Sequence, residues 1–183
     1  MFERIETERL ILRKAEARDL ELIWRRVWSD ERLAATMLWT PTKTREEAAS
    51  RHERTVAYQA DNCAWFVCLR ETDEPIGFGG MREIEPGVWD ETGLCIAKDW
   101  QGRGYGKEML RALLDLAFRK LGGQRFLYSC FHGNEASAAL CKSCGFVYTH
   151  SSEDVRQRDG YVYLCDHYEL KREACCDPDD PTL

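Results

Sequence analysis

The stretch Gln101-Gly102-Arg103-Gly104-Tyr105-Gly106 lies between an apolar segment and a strongly amphipathic one. Residues 93–97 before it are typical of a buried strand. After it, apolar side chains recur at helical spacing, at Met109, Leu110, Leu113, Leu114, Leu116, Ala117 and Leu121. A glycine-rich turn at a helix start exposes backbone N–H groups at the positive end of the helix dipole, where phosphate binds well. Arg103 and Lys107 add positive charge. The stretch therefore predicts a phosphate-binding turn, with a simple glycine bend as the alternative.

The glycine spacing excludes a dinucleotide-binding turn. That turn needs Gly-x-Gly-x-x-Gly after the first strand and an acidic residue about 20 positions later. Here the spacing is Gly102-x-Gly104-x-Gly106, several predicted strands come first, and the corresponding later segment is Gly122-Gly123-Gln124-Arg125.

Length and charge limit the class of protein. A chain of 183 residues is long enough for one substantial core, and we expect a single domain over residues 1–171. Residues 172–183 are acidic and are expected to be disordered. No apolar run approaches the ~20 residues of a membrane span, and the first residues alternate in charge, so we expect a cytoplasmic protein. The net charge of −6 argues against a nucleic-acid partner and favours a cationic acceptor such as an amine.

The nine cysteines are predicted to be reduced, because most lie inside strand-like or helix-like runs. Cys141-x-x-Cys144 could form half of a zinc site, but the sequence offers no second pair at suitable spacing. Cys175 and Cys176 are adjacent in the acidic tail and no paired histidines accompany them. We therefore expect no metal.

Periodicity and turn residues predict a mixed α/β (α+β) fold. Apolar or alternating runs predict strands at residues 9–13, 64–69, 76–81, 89–97, 125–130, 146–148 and 161–170. Helices are predicted after an Asp19 N-cap, from a Thr44 cap to about Ala60, after the glycine turn, and over residues 136–144, where Gly145 ends the helix. The polar residues 151–160 form either a loop or an extended hairpin. A mixed sheet with helices on both faces is the economical packing of this order.

A second motif, Asn134-x-x-Ser137, precedes a short predicted helix and Gly145-Phe146. Together with Gln101-x-x-Gly104-x-Gly106, this motif resembles the GCN5-related N-acetyltransferase (GNAT) family. The opening strand Glu8-Arg9-Leu10-Ile11-Leu12-Arg13 is similar to that of the RimJ/RimL-like subgroup, which acetylates the N-termini of ribosomal proteins. The resemblance covers residues 8–171. It implies the GNAT acyl-CoA N-acyltransferase fold, a central, mostly antiparallel, twisted sheet of about seven strands with helices on both faces.

The resemblance implies an acetyl-CoA-dependent N-acetyltransferase that transfers the acetyl group directly to a primary amine in a ternary complex. The amine belongs to a protein N-terminus or to a small molecule, with antibiotics and polyamines as the alternative acceptors. Acetyl-CoA is the co-substrate, no nucleic acid or membrane partner is expected, and a homodimer is compatible with the family. A non-catalytic acyl-CoA-binding regulatory module is the rival from another class.

The resemblance also implies roles for individual residues. Glu91 lies on the strand that leads to the acetyl group and would accept the proton of the amine, directly or through water; otherwise it is a solvated carboxylate. Ser137 would protonate the leaving thiolate, although Cys141, which replaces a common family tyrosine, or water remain alternatives. Asn134 would bind pantetheine or merely cap the helix. The implied cofactor-binding residues are Cys95, Ile96, Gln101, Gly102, Arg103, Gly104, Tyr105, Gly106, Lys107, Asn134, Ser137 and Lys142.

Overall fold

The computed structural model describes residues 2–156 and 159–175. These residues form eight strands: β1 (Arg4–Glu6), β2 (Leu10–Arg13), β3 (Ala64–Leu69), β4 (Pro75–Glu85), β5 (Val88–Ile96), β6 (Arg125–Phe131), β7 (Val147–Arg156) and β8 (Tyr161–Lys171). They also form six α-helices: α1 (Leu20–Ile23), α2 (Glu31–Ala34), α3 (Arg45–Asp61), α4 (Tyr105–Asp115), α5 (Glu135–Ser143) and α6 (Arg172–Cys175). Wider, π-helical turns continue α1 over Trp24–Trp28 and α4 over Leu116–Lys120.

The hydrogen-bonded strand order is β1-β2-β3-β4-β5-β6-β8-β7. β5 and β6 are parallel, whereas the pairs β1–β2, β2–β3, β3–β4, β6–β8 and β7–β8 are antiparallel. This mixed, mostly antiparallel sheet confirms the predicted fold class. The structure has one strand more than the seven or so expected, because β1 is only three residues long and too short to show a strand pattern.

The described chain divides into two compact units. The N-terminal unit comprises residues 2–82 and 92–109, and the C-terminal unit comprises residues 83–91 and those from 110 onward. The acidic tail, expected to be disordered from residue 172, begins with helix α6, and its residues 176–183 lie outside the described residues. None of the helices described has the length and apolar character needed to cross a membrane.

Aromatic side chains dominate the core of the N-terminal unit. The rings of Trp28 and Phe66 meet edge to face at 6.0 Å between centroids, and both side chains are almost fully buried. Cys95 and Ala97 of the segment leading to the glycine turn belong to the same core cluster. The core therefore holds the end of β5 in place.

Asp19 is the N-cap residue of α1, as predicted, but its side chain makes no capping hydrogen bond to that helix. Its carboxylate accepts hydrogen bonds from the Arg13 guanidinium at 2.7 and 2.9 Å and from the Glu16 N–H at 2.7 Å. Arg13 and Asp19 are both buried, so their ion pair is shielded from water. Sequence spacing revealed an acid before a helix, but the partner on β2 decides what the acid does.

The prediction for α3 is confirmed. Thr44 accepts a hydrogen bond from the Glu47 N–H, while the Glu47 carboxylate accepts from the Thr44 N–H, which is a complete capping box. The helix ends at Asp61, one residue beyond the predicted end.

The core of the C-terminal unit is a chain of aromatic edge-to-face contacts. Phe126 meets Phe118 and Phe146, and Phe146 also meets Tyr128 with 5.6 Å between centroids. Gly145 ends α5 with φ +92°, as predicted, and the Phe146 N–H then bonds back to the helix. Of the residues 151–160 expected to form a loop or an extended hairpin, 151–156 belong to β7, which pairs with β8 as a hairpin, and 157–158 lie outside the described residues.

Candidate active site

The glycine turn of the N-terminal unit has the backbone conformation that its sequence requires. Gly102 and Gly104 have φ of +74° and +84°, a region that other residues enter only with strain. The Gly104 carbonyl accepts the Glu108 N–H at 3.1 Å, so α4 begins immediately after the turn. The first N–H groups of an α-helix have no partner within the helix, and the turn around them is exposed to solvent. The geometry suits an anionic ligand.

Arg9 of the opening motif holds this turn. Its Nη1 donates to the Arg103 carbonyl at 3.0 Å, and its Nε donates to the Glu108 carboxylate at 2.7 Å. The guanidinium also lies over the Tyr105 ring, 4.6 Å from the centroid. Sequence reasoning included Arg9 only as part of a strand motif and missed this role.

Gln101 connects the turn to the end of β5. Its Nε2 donates to the Ile96 carbonyl at 2.7 Å, so the structure brings together two residues predicted to bind the cofactor. On the neighbouring strand, an added Cβ at Gly77 would lie 2.0 Å from the Cys95 carbonyl oxygen. A glycine is therefore required at Gly77 for β4 and β5 to approach at this point.

In the C-terminal unit, Asn134 and Ser137 lie together at the start of α5. The Asn134 Oδ1 accepts a hydrogen bond from the Ser137 N–H at 3.2 Å. This contact caps the helix, which was the alternative to pantetheine binding for Asn134. The Ser137 hydroxyl lies 2.8 Å from the Tyr128 hydroxyl, and either can donate. Ser137 thus belongs to a hydrogen-bonded pair that the sequence motif did not indicate.

Glu91 shares this part of the C-terminal unit. Burial raises the pKa of Tyr128, the hydrogen bond from Ser137 lowers it, and the negative charge of Glu91 raises it further. Glu91 also contributes to the raised pKa of Cys130, whose main cause is burial. Glu91 is half-buried and directly follows Asp90, which pairs with Leu127 of β6, so it lies next to the β5–β6 pairing.

Cys141 and Lys142 follow on α5. Cys141 is fully buried, its Sγ donates to the Ala138 carbonyl at 3.3 Å, and burial raises the pKa of its thiol to about 12. The Lys142 ammonium lies 5.7 Å from the centroid of the Tyr168 ring. The structure thus gives Lys142 an aromatic neighbour in its own unit.

Residues 9–147 match the Acetyltransferase (GNAT) domain family, which is more than half of the chain. The chain belongs to the GNAT acetyltransferase family. It is an N-acetyltransferase, and its family uses acetyl-CoA.

Two curated relatives agree with the GNAT assignment. An uncharacterized N-acetyltransferase p20 of Bacillus licheniformis is 28% identical over 149 residues, which cover 79% of this chain and 82% of the relative. The N-alpha-acetyltransferase RimI of Mycobacterium tuberculosis is 27% identical over 139 residues, covering 74% and 76% respectively.

A solved structure shows the same fold. It is a spermidine N-acetyltransferase from Vibrio cholerae in complex with CoA and spermine, with 18% identity and a TM-score of 0.72. The alignment covers 92% of this GNAT chain and 99% of that one.

Tyr128 is a second residue of the candidate site in this GNAT protein that sequence reasoning missed. It lies within a strand whose alternating pattern marks it only as an inward-facing aromatic. Its contact with Ser137 of α5 forms only in the folded protein, where the helix lies against β6. The periodicity gave no signal of the contact.

The expectation that no metal binds stays a prediction. Among the residues described, one group has suitable chemistry: Asp154, Cys165 and His167 of the β7–β8 hairpin place one ligand atom each within 4.8 Å of one another. The Ser152 hydroxyl already lies 2.7 Å from the His167 Nε2, so a hydrogen bond occupies that nitrogen.

Proposed function

We propose that this GNAT enzyme transfers the acetyl group of acetyl-CoA directly to a primary amine within a ternary complex. The amine nitrogen attacks the thioester carbonyl carbon, the N–C bond forms and the C–S bond breaks. Glu91 accepts the proton from nitrogen, directly or through water, and Ser137 donates a proton to the thiolate. The observation that carries the proposal is the hydrogen bond between the Ser137 and Tyr128 hydroxyls, beside the charge of Glu91.

Tyr128 supports Ser137 as the donor because its buried hydroxyl holds the Ser137 hydroxyl in place through this hydrogen bond. Cys141 is a weaker candidate. Its thiol is fully buried and already donates to the Ala138 carbonyl, so its proton is directed away from any bound thioester.

The glycine turn and the end of β5 form the proposed donor-binding residues of the N-terminal unit. Backbone N–H groups from Gln101 to Lys107 would bind the pyrophosphate of CoA, and those of Cys95 or Ile96 would polarise the acetyl carbonyl. The two positive φ values at the turn and its bonds to Arg9 support this role, because they preorganise the N–H groups.

Asn134 and Lys142 complete the proposed donor contacts in the C-terminal unit. Asn134 uses its Oδ1 to cap α5, so we assign pantetheine binding to its amide nitrogen. Lys142 contributes positive charge.

The relatives suggest two classes of acceptor for this chain. RimI is named for N-alpha-acetylation, which fits the protein N-termini of the RimJ/RimL-like subgroup. The Vibrio cholerae structure holds spermine, a polyamine. We propose an α-amino or other primary amine as the acceptor, with a polyamine or an antibiotic as the second candidate.

An acceptor screen tests the proposal. The purified chain is incubated with acetyl-CoA and N-terminal peptides, amino acids, polyamines or aminoglycosides, and the release of free CoA thiol is measured. We expect turnover with at least one amine and a fall in kcat of about a hundredfold in Glu91→Gln and in Ser137→Ala. Ser143→Ala, an exposed serine on the same helix, serves as the control and should retain wild-type kcat.

CoA binding is measured in parallel by calorimetry. CoA that binds without acetylation of any amine would support the rival regulatory module. Wild-type turnover in both substituted enzymes would refute the assigned roles.

A further inference from the structure

Arg51 of α3 is enclosed by aromatic rings in the N-terminal unit. Its guanidinium carbon lies 4.7 Å from the centroid of Trp28 and 4.7 Å from that of Trp39. One side-chain hydrogen bond, from Nη1 to the Thr42 hydroxyl at 3.1 Å, uses one of its five N–H groups. Across the described ranges 2–156 and 159–175, no carboxylate pairs with it. Arg13, by contrast, pairs with both Asp19 and Asp73.

Two further polar atoms lie unsatisfied in the same group of rings. The indole nitrogen of Trp39 and the Nε2 of His52 are buried and have no hydrogen-bond partner among the residues described. His52 is only 7% exposed, and its ring lies 6.3 Å from that of Trp28. Buried polar groups are nearly always paired, because an unpaired one loses its hydration without compensation. The Trp39 nitrogen and the Arg51 guanidinium therefore lack an acceptor of hydrogen bonds, and His52 Nε2 lacks one in the tautomer that protonates it.

The chemistry of these three groups selects the missing partner. Arg51 offers positive charge and a planar set of donors, which match a carboxylate. Trp39 Nε1 can only donate, and His52 Nε2 donates in the tautomer that protonates it. A carboxylate can accept hydrogen bonds from all of these groups. A second cation would instead be repelled by the charge of Arg51, and the repulsion is strong in a buried environment.

Arg51, Trp39 and His52 lie near a residue that is proposed to take part in the reaction. Cys95 belongs to the same core cluster as Trp28, and Trp39 packs against that cluster. Arg51 also affects the pKa of the Cys95 thiol, which burial raises, so the two side chains are close enough to interact. Cys95 is a residue proposed to contact the acetyl group. A ligand held by Arg51 therefore lies in the part of this unit where an acceptor is needed.

We propose that Arg51, Trp39 and His52 form a subsite for a carboxylate carried by the amine acceptor. The inference rests on the proposed acetyl transfer and narrows its acceptor to an acidic amine. It reverses the expectation of a cationic acceptor, which followed from net charge alone. The carboxylate is either the α-carboxylate of a free amino acid or an acidic side chain of an N-terminal peptide.

Binding of acetylated products to the full chain, in the presence of saturating CoA, tests the subsite without turnover. Calorimetry compares N-acetylglycine with N-acetylglycinamide, and acetyl-Glu-Ala-Ala-amide with acetyl-Gln-Ala-Ala-amide. We expect at least one acid to bind about tenfold or more tightly than its matched amide. The pair that shows the difference identifies the source of the carboxylate. Equal binding in both pairs, or tighter binding of N-acetylspermidine than of either acid, overturns the proposal.

Substitutions test whether Arg51 and Trp39 cause the preference for an acid over its amide. Arg51→Met should reduce the preference for the acid over its amide to less than about threefold. Trp39→Phe keeps an aromatic ring but removes the indole N–H. It should weaken binding of the acid several-fold and leave binding of the amide unchanged. Arg54→Met is the matched control, because Arg54 is an exposed arginine on the same helix that donates to Ser50. An acid preference that survives in both Arg51→Met and Trp39→Phe overturns the proposal.

The measurement separates this inference from the proposed reaction. Acid-selective binding without acetylation of any amine would retain the subsite and refute the transfer. Acetylation of amines without a preference for acids would support the transfer reaction and refute the carboxylate subsite.

Discussion

The Tyr128 hydroxyl lies 2.8 Å from the Ser137 hydroxyl and joins strand β6 to the first turn of helix α5. Tyr128 is almost completely buried, and the Phe146 ring packs against it. The position of the Ser137 hydroxyl is therefore fixed by a buried side chain. The contact also makes Ser137 dependent on a residue outside its own motif.

Tyr128→Phe should lower kcat about tenfold and leave the KM for acetyl-CoA within about twofold, because it removes the hydrogen bond that positions the Ser137 hydroxyl but no contact with acetyl-CoA. Steady-state kinetics with acetyl-CoA and a saturating amine measure both constants. Tyr148→Phe is the matched control, since Tyr148 also bonds a serine, Ser151, at 2.9 Å but is exposed. If both variants have wild-type kcat, Tyr128 does not assist Ser137.

Cys141→Ala should keep kcat within about threefold of wild type, because the Cys141 thiol is fully buried and already donates to the Ala138 carbonyl. Ser137→Ala, measured beside it, should lose about a hundredfold. Each kcat is corrected for the folded fraction from circular dichroism. A fall for Cys141→Ala equal to that for Ser137→Ala would assign the donor to the cysteine instead.

Gly77→Ala should destabilise the protein by about 3 kcal/mol, or about 6–12 °C in Tm, because its Cβ would lie 2.0 Å from the Cys95 carbonyl oxygen. Gly79→Ala on the same strand is the control. There the new Cβ would lie 3.0 Å from the Met109 sulfur, a flexible side chain that can move, so a cost of about 1 kcal/mol is expected. Thermal unfolding measures both, and equal Tm values would contradict the close approach of β4 to β5.

Glu108→Gln should cost about 1–3 kcal/mol of unfolding free energy at pH 7. Burial alone would raise the pKa of Glu108, but hydrogen bonds from Thr7 and Arg9 outweigh it and hold the pKa below its usual 4.5. Because the pKa is lower in the folded state, this stabilisation is fully present above about pH 4.5 and is lost as the pH falls through the folded value.

Urea unfolding from pH 7 down to pH 4 tests this sign. The difference between wild type and Glu108→Gln should shrink as the pH falls. Glu53→Gln, an exposed glutamate in α3, should differ from wild type by less than about 0.5 kcal/mol at every pH. A Glu108→Gln difference that grows toward pH 4 would show that the carboxylate destabilises the fold.

Elements with strong local signals were predictable from the sequence. Helix α3 combines a capping box with a long run free of helix breakers, and β3 is a continuous apolar run, so both appear where expected. Strand β1 lacked such a signal, because three residues carry no periodicity. Asp19 occupies the predicted N-cap position of α1, but its carboxylate pairs with Arg13 of β2 instead of capping the helix.

The glycine turn and the Asn134–Ser137 motif were predictable as well, because each depends on residues close in sequence. Positive φ at Gly102 and Gly104 and the Asn134 cap on the Ser137 N–H are local properties of the backbone. Arg51 could not be recognised in this way. Its importance lies in what surrounds it, two tryptophan rings and no carboxylate among the described residues.

By itself, the sequence determined the fold family of this protein and indicated its acyl donor, through the order of the strands and helices and the anion-binding turn before α4. Backbone conformation and helix capping depend on a few neighbouring residues, so they can be predicted from the sequence. Only the tertiary structure decided that Tyr128 meets Ser137, that Arg9 holds the turn, and that Arg51 lies between Trp28 and Trp39. Those contacts arise when apolar burial brings separate elements together, and burial depends on the whole fold rather than on local spacing.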